Sequence, residues 1–298
     1  MASTEFSWGR RQLALLVLLT LAWGLNWPVM KLGVSSYPPL AFRAVSMWLG
    51  LPVLAFVLHA MRVSFAIERR DWPALAALAV TNMLVWHVLA IVSIQSLSSG
   101  RAAILGYTMP IFSALWGVTL FDERLRARHV AGIVAAGLGV ALLLWHELGS
   151  LAGSPLAALG MLVAAAVWAL GTQQMRRTRI VAPTLAIVFW MTVATAGAMT
   201  ALTAFFEHDR WGLPDAPTWS AIAYNAVLIF GIAQPIWLVL ARNLPPVASS
   251  MSVMMIPVLG TIAGAWWLGE RLHWQDGAAI VLVLVAIASV MWPVRQRA

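Results

Sequence analysis

Apolar residues run through this chain in long stretches that short polar segments interrupt. A window of about 20 apolar residues is long enough to cross roughly 30 Å of hydrocarbon as a helix. The pattern predicts ten such helices, at 12–33, 39–59, 72–91, 97–121, 128–146, 154–175, 182–206, 217–240, 246–268 and 274–293. These helices take up nearly the whole chain and leave no room for a soluble domain.

Two stretches of this pattern are copies of each other. Residues 110–145 align without a gap on residues 257–292 after a shift of 147 positions. The matched positions include Pro110 with Pro257, Glu123 with Glu270, and Trp145 with Trp292. A proline, a Glu-Arg-Leu run and a terminal tryptophan in one register identify an internal repeat. The first and sixth predicted helices also match, at a shift of 145.

The basic residues decide the orientation of these helices. With the N-terminus in the cytoplasm, 14 of the 19 Lys and Arg residues lie in cytoplasmic segments, as the positive-inside rule requires. Each copy of the repeat holds five helices, an odd number, so the second copy enters the membrane from the opposite side. We therefore predict an all-α integral membrane protein. Its ten transmembrane helices form a five-plus-five inverted-topology repeat around a central cavity, with both termini cytoplasmic.

Composition agrees with this class, since 61% of the residues are hydrophobic and only 10% are charged. A soluble domain carries about a quarter charged residues. The net charge of +8 raises the question of nucleic-acid binding, but the bases lie in short runs between apolar segments rather than on one surface. The expected partners are therefore the lipid bilayer and a small-molecule substrate, without nucleic acid. No cofactor is expected, and disulfides are excluded because the chain has no cysteine.

Polar and aromatic side chains well inside the predicted spans are the candidate substrate site. Polar groups at this depth are costly and usually face the bundle interior or a cavity. The predicted lining residues are Trp23, Asn26, Trp27, Asn82, Trp86, His87, Tyr107, Trp168, Thr172, Gln234 and Met254. Aromatic faces with a few hydrogen-bonding groups suit amphipathic ligands. The alternative interpretation is ordinary helix packing, with the polar groups bonding neighbouring helices.

Six further residues are candidate gates or hinges. Pro110 and Pro257 fall mid-span, where each removes a backbone hydrogen bond. Lys31 with Glu270, and Glu123 with Arg176, are predicted to form ion pairs at opposite mouths that latch the two gates in alternation. The alternatives are static kinks, and glutamates that favour the N-termini of the following helices. For Arg43 the sequence favours neither a structural partner nor a substrate carboxylate. For the small residues Ala131, Ala135 and Gly139 it leaves the packing partner open.

The run Trp23-Gly24-Leu25-Asn26-Trp27 with Lys31, and the two Glu-Arg-Leu runs, resemble the drug/metabolite transporter (DMT) superfamily. Within it the chain is similar to the EamA-type exporters, including their aromatic amino-acid exporter branch (YddG-like). The resemblance implies two EamA-like repeats, here 1–147 and 148–298, alternating access, and export of amino acids or related amphipathic metabolites. The second copy departs from the first, because Gly171 and Thr172 replace Asn26 and Trp27.

The predicted function is secondary transport of aromatic or other amphipathic amino acids outward across the bacterial inner membrane. No acid lies at mid-depth and His87 is the only central titratable group, which favours facilitated diffusion or exchange. The alternatives are proton-coupled export of drugs, purines or other metabolites, a passive channel, and an integral-membrane enzyme. The enzyme is disfavoured because the acids are scattered over helix ends without a reactive cluster. The oligomeric state is open, and a monomer is sufficient for this fold.

Overall fold

A computed structural model of the protein describes residues 10–122, 127–149, 154–234, 236 and 246–291. All regular secondary structure in these ranges is helical. We number the helical segments α1 to α10, and each overlaps one of the ten predicted windows. The uninterrupted segments are α1 (Arg10–Gly33), α2 (Pro39–Ala60), α5 (Ala127–Gly149), α6 (Pro155–Arg177), α7 (Thr184–Phe206), α9 (Pro246–Leu268) and α10 (Trp274–Met291).

Three segments are interrupted. α3 comprises Trp72–Ala79, a π-helical turn at Val80–Leu84, and Val85–Ser93. α4 comprises Ser99–Gly106 and Met109–Phe121. α8 comprises Ala216–Ala223 and the π-helical segment Tyr224–Ala233. The repeat shift of 147 carries the first π-helical turn into the second, so both halves have the same irregularity. π-helical turns are rare and are often found at functional sites.

Most of these helices are long enough to span a membrane. Among the described residues, 7 helices are long and apolar enough to cross a membrane. The segments Val130–Leu143, Met255–Leu268 and Trp274–Ser289 are shorter apolar helices. Large apolar side chains such as Trp266, which is 89% exposed, point away from the protein. Such a surface is stable in lipid rather than in water.

The contacts between helices follow the repeat. α1 packs against α9, and α4 packs against α6; α3 packs against α6, and α8 packs against α1. Under the repeat each helix of the first half corresponds to the helix numbered five higher in the second half. The α1–α9 pair is therefore equivalent to the α4–α6 pair, and the α3–α6 pair is equivalent to the α1–α8 pair. The pairs α2–α7 and α5–α10 convert into themselves. In the α5–α10 pair a Cβ on Gly139 would lie 3.3 Å from Leu282 Cβ, so the small residues of α5 pack against α10 of the same chain.

The connections gather at two ends of the bundle. The upper end holds the connections 34–38, 94–98, 207–215 and 269–273, and the lower end holds 61–71 and 178–183. At the upper end the Ser36 hydroxyl donates to Asp215 at 3.0 Å, and Arg101 pairs with Asp276 at 2.7 Å. At the lower end the Val181 amide donates to Asp71 at 3.3 Å.

Carboxylates at the upper end cap the helices that begin there. Glu207 accepts the amides of Leu40 and Ala41 at 3.1 and 2.8 Å, which satisfies the first turn of α2. Asp215 accepts the Thr218 amide at 2.8 Å at the start of α8. Hydrogen bonds from Thr218 hold the pKa of the Asp215 carboxyl below its ordinary value. These acids therefore order the upper end of the bundle.

Candidate functional site

Four aromatic side chains from four helices meet in the interior. Trp27 of α1 lies edge-on to Trp86 of α3 and to Tyr107 of α4, with ring centres 6.4 Å apart in both pairs. Trp86 also contacts Trp168 of α6, at 4.6 Å between ring centres. Aromatic pairs of this kind contribute about 0.5–1.5 kcal/mol each beyond their burial. We call Trp27, Trp86, Tyr107 and Trp168 the aromatic cluster.

The local backbone allows the rings to approach so closely. A Cβ on Gly106 would lie 3.0 Å from the ring tips of both Trp27 and Trp86, so a larger residue there would force the rings apart. Trp27 and Tyr107 are buried, whereas Trp86 and Trp168 keep part of their surface accessible. Trp27 lies six residues before the end of α1, which is about 9 Å below the upper end. The cluster thus lies within the spanning part of the bundle.

The π-helical turn of α3 lies against α6 beside this cluster. A Cβ on Gly171 would lie 2.7 Å from the backbone of Thr81 and Asn82, and the Thr81 hydroxyl donates to Gln174 at 2.8 Å. The absence of a side chain at Gly171 therefore allows α6 to touch the π-helical turn. This contact gives a physical reason for glycine at the position that the repeat matches with Asn26.

A buried arginine lies next to the aromatic cluster. Arg43 of α2 is only 2% exposed, and it donates to the Asn225 amide oxygen at 3.1 Å and to the Met30 sulfur at 2.7 Å. Its guanidinium carbon lies 5.7 Å from the centre of the Phe230 ring. Met30 is one helical turn beyond Trp27 on α1, so the arginine and the aromatic cluster are neighbours. None of the ion pairs in the described part of the chain involves Arg43.

Three buried polar atoms on α1, α2 and α3 lack a hydrogen-bond partner among the described residues. They are Asn26 Oδ1, Arg43 Nε and His87 Nδ1. The His87 ring lies 5.6 Å from Phe230, the same ring that Arg43 approaches. Buried polar atoms in proteins are nearly always hydrogen-bonded, so three orphaned atoms mark a place suited to a ligand. We call Asn26, Arg43 and His87 the polar cluster.

Most of the predicted lining residues thus come together. Trp23 packs against the core that holds Trp27, and Asn82 lies in the π-helical turn described above. The Thr172 hydroxyl donates to the Trp168 carbonyl of its own helix at 3.0 Å. Gln234 is half-buried on α8, and no described contact joins it to either cluster. The side chain of Met254 lies outside the described residues.

Arg43, Asn225 and Phe230 were absent from the predicted site. The signal for Arg43 and Asn225 was a polar residue inside an apolar run, which is costly in a membrane. Arg43 is the fifth residue of α2 and was therefore assigned to the helix end. Phe230 carried no distinguishing signal, because a phenylalanine among apolar residues is ordinary in such a chain.

Two candidate gate residues lie at one turn of the upper end. The Lys31 ammonium donates to the carbonyls of Ile94, Gln95 and Leu97 at 2.9, 2.7 and 2.9 Å. Glu270 accepts the Ser99 amide at 2.8 and 2.9 Å and the Ser99 hydroxyl at 2.9 Å. Their described hydrogen bonds are therefore with the α3–α4 turn and the first residue of α4 rather than with each other. We call Lys31, Glu270 and Ser99 the upper latch.

The remaining gate candidates differ between the halves. Pro110 stands in the first turn of the second part of α4, after the interruption at Tyr107 and Thr108. Pro257 lies inside the uninterrupted helix α9. Proline in a first helical turn costs no hydrogen bond, so the matched prolines have different local effects. Arg176 is exposed at the end of α6, and Glu123 lies outside the described residues.

The described ranges contain no group of side chains that could form a metal site. No group of three or more His, Cys, Asp or Glu side chains there is placed to hold a metal ion. The arrangement instead offers aromatic faces, one buried cation and unpaired hydrogen-bonding atoms. Aromatic faces together with hydrogen-bonding atoms suit an amphipathic molecule.

The chain is similar to known transporters along nearly its whole length. The model of the EamA-like transporter family matches residues 11–145 and again 155–292. The uncharacterized inner membrane transporter YedA of Escherichia coli K12 is 26% identical over 290 residues, which cover 94% of this chain and 92% of YedA. The aromatic amino acid exporter YddG of Ancylobacter novellus is 26% identical over 276 residues, covering 88% of this chain and 94% of YddG.

A solved crystal structure shares the fold, with a TM-score of 0.67 and 22% sequence identity, covering 95% of this chain and 99% of that one. The family predicted from the sequence motifs is confirmed by these matches. The relative's assignment to the inner membrane agrees with the apolar spans described above. The chain belongs to the EamA-like transporter family and is a multi-pass transporter of the inner membrane.

Proposed function

We propose that the protein is a secondary transporter that moves aromatic or other amphipathic amino acids, or related metabolites, out of the cell. The observation that carries this proposal is the aromatic cluster beside the polar cluster. Tryptophan and tyrosine faces bind a large apolar side chain, and unpaired polar atoms bind the polar end of the same molecule. The similarity to a protein named as an aromatic amino acid exporter supports the same substrate class.

The proposed mechanism is alternating access between two inverted halves, residues 1–147 and 148–298, with both termini cytoplasmic. The α1–α2 connection lies at the upper end, whereas its equivalent in the repeat, the α6–α7 connection, meets residues 61–71 at the lower end. The exchange of helix pairs under the repeat supports the same relation. Two halves of this kind can adopt each other's conformation and open one site to each side in turn.

In this mechanism the candidate gates act as two alternating latches. The upper latch holds the turn between α3 and α4, residues 94–98, through the hydrogen bonds of Lys31 to its carbonyls and of Glu270 to Ser99. Glu123 and Arg176 would form the equivalent latch at the lower end, and Pro110 and Pro257 would serve as hinges. Export then needs only the substrate's own gradient, since the spans contain no acid at mid-depth to carry a coupling proton.

Proton-coupled export of drugs, purines or other metabolites is the second candidate. One observation favours it, namely that His87 is buried among the site residues with one ring nitrogen unpaired. A membrane-embedded imidazole that changes protonation is a recurring element of proton-coupled carriers. The two candidates differ in substrate and in their response to a pH gradient.

An uptake screen in proteoliposomes separates them. Purified protein is reconstituted and tested with labelled amino acids, nucleobases and sugars, with and without an imposed pH gradient. We expect saturable uptake of phenylalanine, tryptophan or leucine that is independent of the pH gradient. Uptake of nucleobases alone, driven by the pH gradient, would instead establish the second candidate. Absence of uptake for every amino acid would contradict the proposed substrate class.

A further inference from the structure

We propose that Arg43 binds the carboxylate of the substrate and that Asn26 and His87 accept hydrogen bonds from its amino group. The site would thereby select whole α-amino acids over amines and acids that carry the same apolar group. This inference rests on the proposed function, because it assigns the recognition groups within the same site. It adds a specific residue for each polar group of the substrate.

The first argument is the unbalanced charge of Arg43. A guanidinium taken out of water is expensive unless a counter-charge and hydrogen bonds compensate for it. Its described partners are a neutral amide oxygen, a thioether sulfur and aromatic rings. Arg101 of the same chain shows the ordinary arrangement, since its partly buried side chain pairs with the Asp276 carboxylate at 2.7 Å. Arg43 Nε thus has no described acceptor, whereas Arg101 Nε donates to a carboxylate.

The second argument is the chemistry of the three unpaired atoms. Arg43 Nε is a charged donor, and it suits a carboxylate, which accepts from guanidinium in a planar geometry. Asn26 Oδ1 is an acceptor, and His87 Nδ1 is an acceptor in one neutral tautomer of the ring. One cationic donor with two neutral acceptors is complementary to a zwitterionic α-amino acid, whose carboxylate and ammonium are attached to the same carbon atom.

The third argument is the position of these atoms relative to the aromatic cluster. Asn26 and Trp27 are consecutive residues of α1, and Trp86 and His87 are consecutive residues of α3. The two acceptors and two rings of the aromatic cluster therefore come from the same turns of the same two helices. Met30 joins Arg43 to the same face of α1. A bound amino acid can therefore place its backbone groups on the polar cluster and its side chain on the aromatic cluster at the same time.

The test measures binding by isothermal titration calorimetry on the full chain in nanodiscs. The probes are L-phenylalanine, 2-phenylethylamine, which lacks the carboxylate, and 3-phenylpropionate, which lacks the amine. Hydrogen bonds to charged groups of this kind correspond to about a 10- to 100-fold change in affinity. We expect the wild-type protein to bind phenylalanine tighter than either analogue by at least about 10-fold.

Two variants, at Arg43 and at its partner Asn225, test whether Arg43 binds the substrate carboxylate. Arg43→Gln is expected to weaken phenylalanine binding by about 10- to 100-fold and to leave phenylethylamine binding unchanged. Asn225→Asp keeps Arg43 but supplies an internal carboxylate within hydrogen-bonding distance of it. We expect Asn225→Asp to weaken phenylalanine binding similarly while it maintains or raises the melting temperature. Ser46→Ala is the matched control, because this buried hydroxyl on α2 bonds only its own helix at 2.7 Å.

The outcomes separate this inference from the proposed function. If phenylalanine is bound and transported but phenylethylamine binds equally well, the recognition by Arg43 is wrong and the proposed function stands. Unchanged phenylalanine affinity in Asn225→Asp leads to the same conclusion. If the wild-type protein neither binds nor transports any amino acid, the proposed function and this inference fail together.

Discussion

The upper latch allows a quantitative prediction for the variant Glu270→Gln. The Glu270 carboxylate accepts the Ser99 amide at 2.8 and 2.9 Å and the Ser99 hydroxyl at 2.9 Å. Hydrogen bonds to charged groups contribute about 1.5–3 kcal/mol each, roughly twice the value for neutral pairs. Glutamine keeps one acceptor oxygen and loses the charge. The free energy that favours the closed upper end over the open one should therefore fall by about 1–2 kcal/mol.

This loss corresponds to about a 5- to 30-fold larger population of molecules that are open at the upper end. The chain contains no cysteine, so one introduced cysteine reports accessibility without a background. Ala103 is fully buried on α4 one turn below Ser99. A membrane-impermeant maleimide added outside should react with the cysteine of the Ala103→Cys protein about 5- to 30-fold faster when Glu270→Gln is also present.

The control for this experiment is Glu68→Gln at the lower end, whose side chain is 52% exposed. It should label at the same rate as the parent protein. Equal labelling rates for Glu270→Gln and its parent would refute the role of the upper latch. Faster labelling from both sides together with a lower melting temperature would show unfolding rather than opening. The equivalent variant Glu123→Gln should accelerate labelling from the cytoplasmic side.

Three other variants test the site. Trp86→Leu removes two ring contacts and should raise the KM for an aromatic substrate by about 10-fold. His87→Gln keeps a neutral acceptor, so the transport rate should fall while its dependence on pH stays that of the wild type. Gly171→Ala forces a Cβ to 2.7 Å from the α3 backbone and should destabilise the protein by about 1–3 kcal/mol in a reversible unfolding assay.

Each of these variants has a matched control or a contradicting result. Trp266→Leu changes a tryptophan that is 89% exposed, and it should leave KM unchanged. Loss of pH dependence in His87→Gln would establish proton coupling through this residue. Gly197→Ala adds a Cβ that meets nothing within 4 Å, so its stability should match or exceed that of the wild type. An equal effect at Gly171 and Gly197 would remove the packing argument.

The helices could be predicted from the sequence because the bilayer imposes a length on each apolar run. The predicted window 39–59 corresponds to Pro39–Ala60, and 274–293 corresponds to Trp274–Met291. The aromatic face of α1 was predictable for a related reason, since Trp23, Asn26, Trp27 and Met30 recur at helical spacing. Residue patterns within one helix are sufficient to predict features, such as span length and a shared face, that depend on that helix alone.

The polar cluster was only partly predictable. Asn26 and His87 were identified as polar residues within spans. Arg43 was placed at a helix end, and the choice between a structural partner and a substrate carboxylate stayed open, because its partner Asn225 is 182 residues away in sequence. A contact of that range leaves no trace in local patterning. The π-helical segments were also not predicted, and the close contact of the one in α3 with Gly171 of α6 likewise joins residues that are far apart in sequence. Conversely, Gln234 occupied the position equivalent to His87 but has no described contact with the site.

Counterflow measures the central claim most directly, namely that one internal site opens alternately to the two sides. Proteoliposomes are loaded with excess unlabelled phenylalanine and diluted into a trace of labelled phenylalanine. An alternating-access carrier predicts transient accumulation of label above the outside concentration, with a saturable rate that Arg43→Gln reduces. Label that only equilibrates, at a rate that internal phenylalanine does not change, would identify a channel and contradict the account.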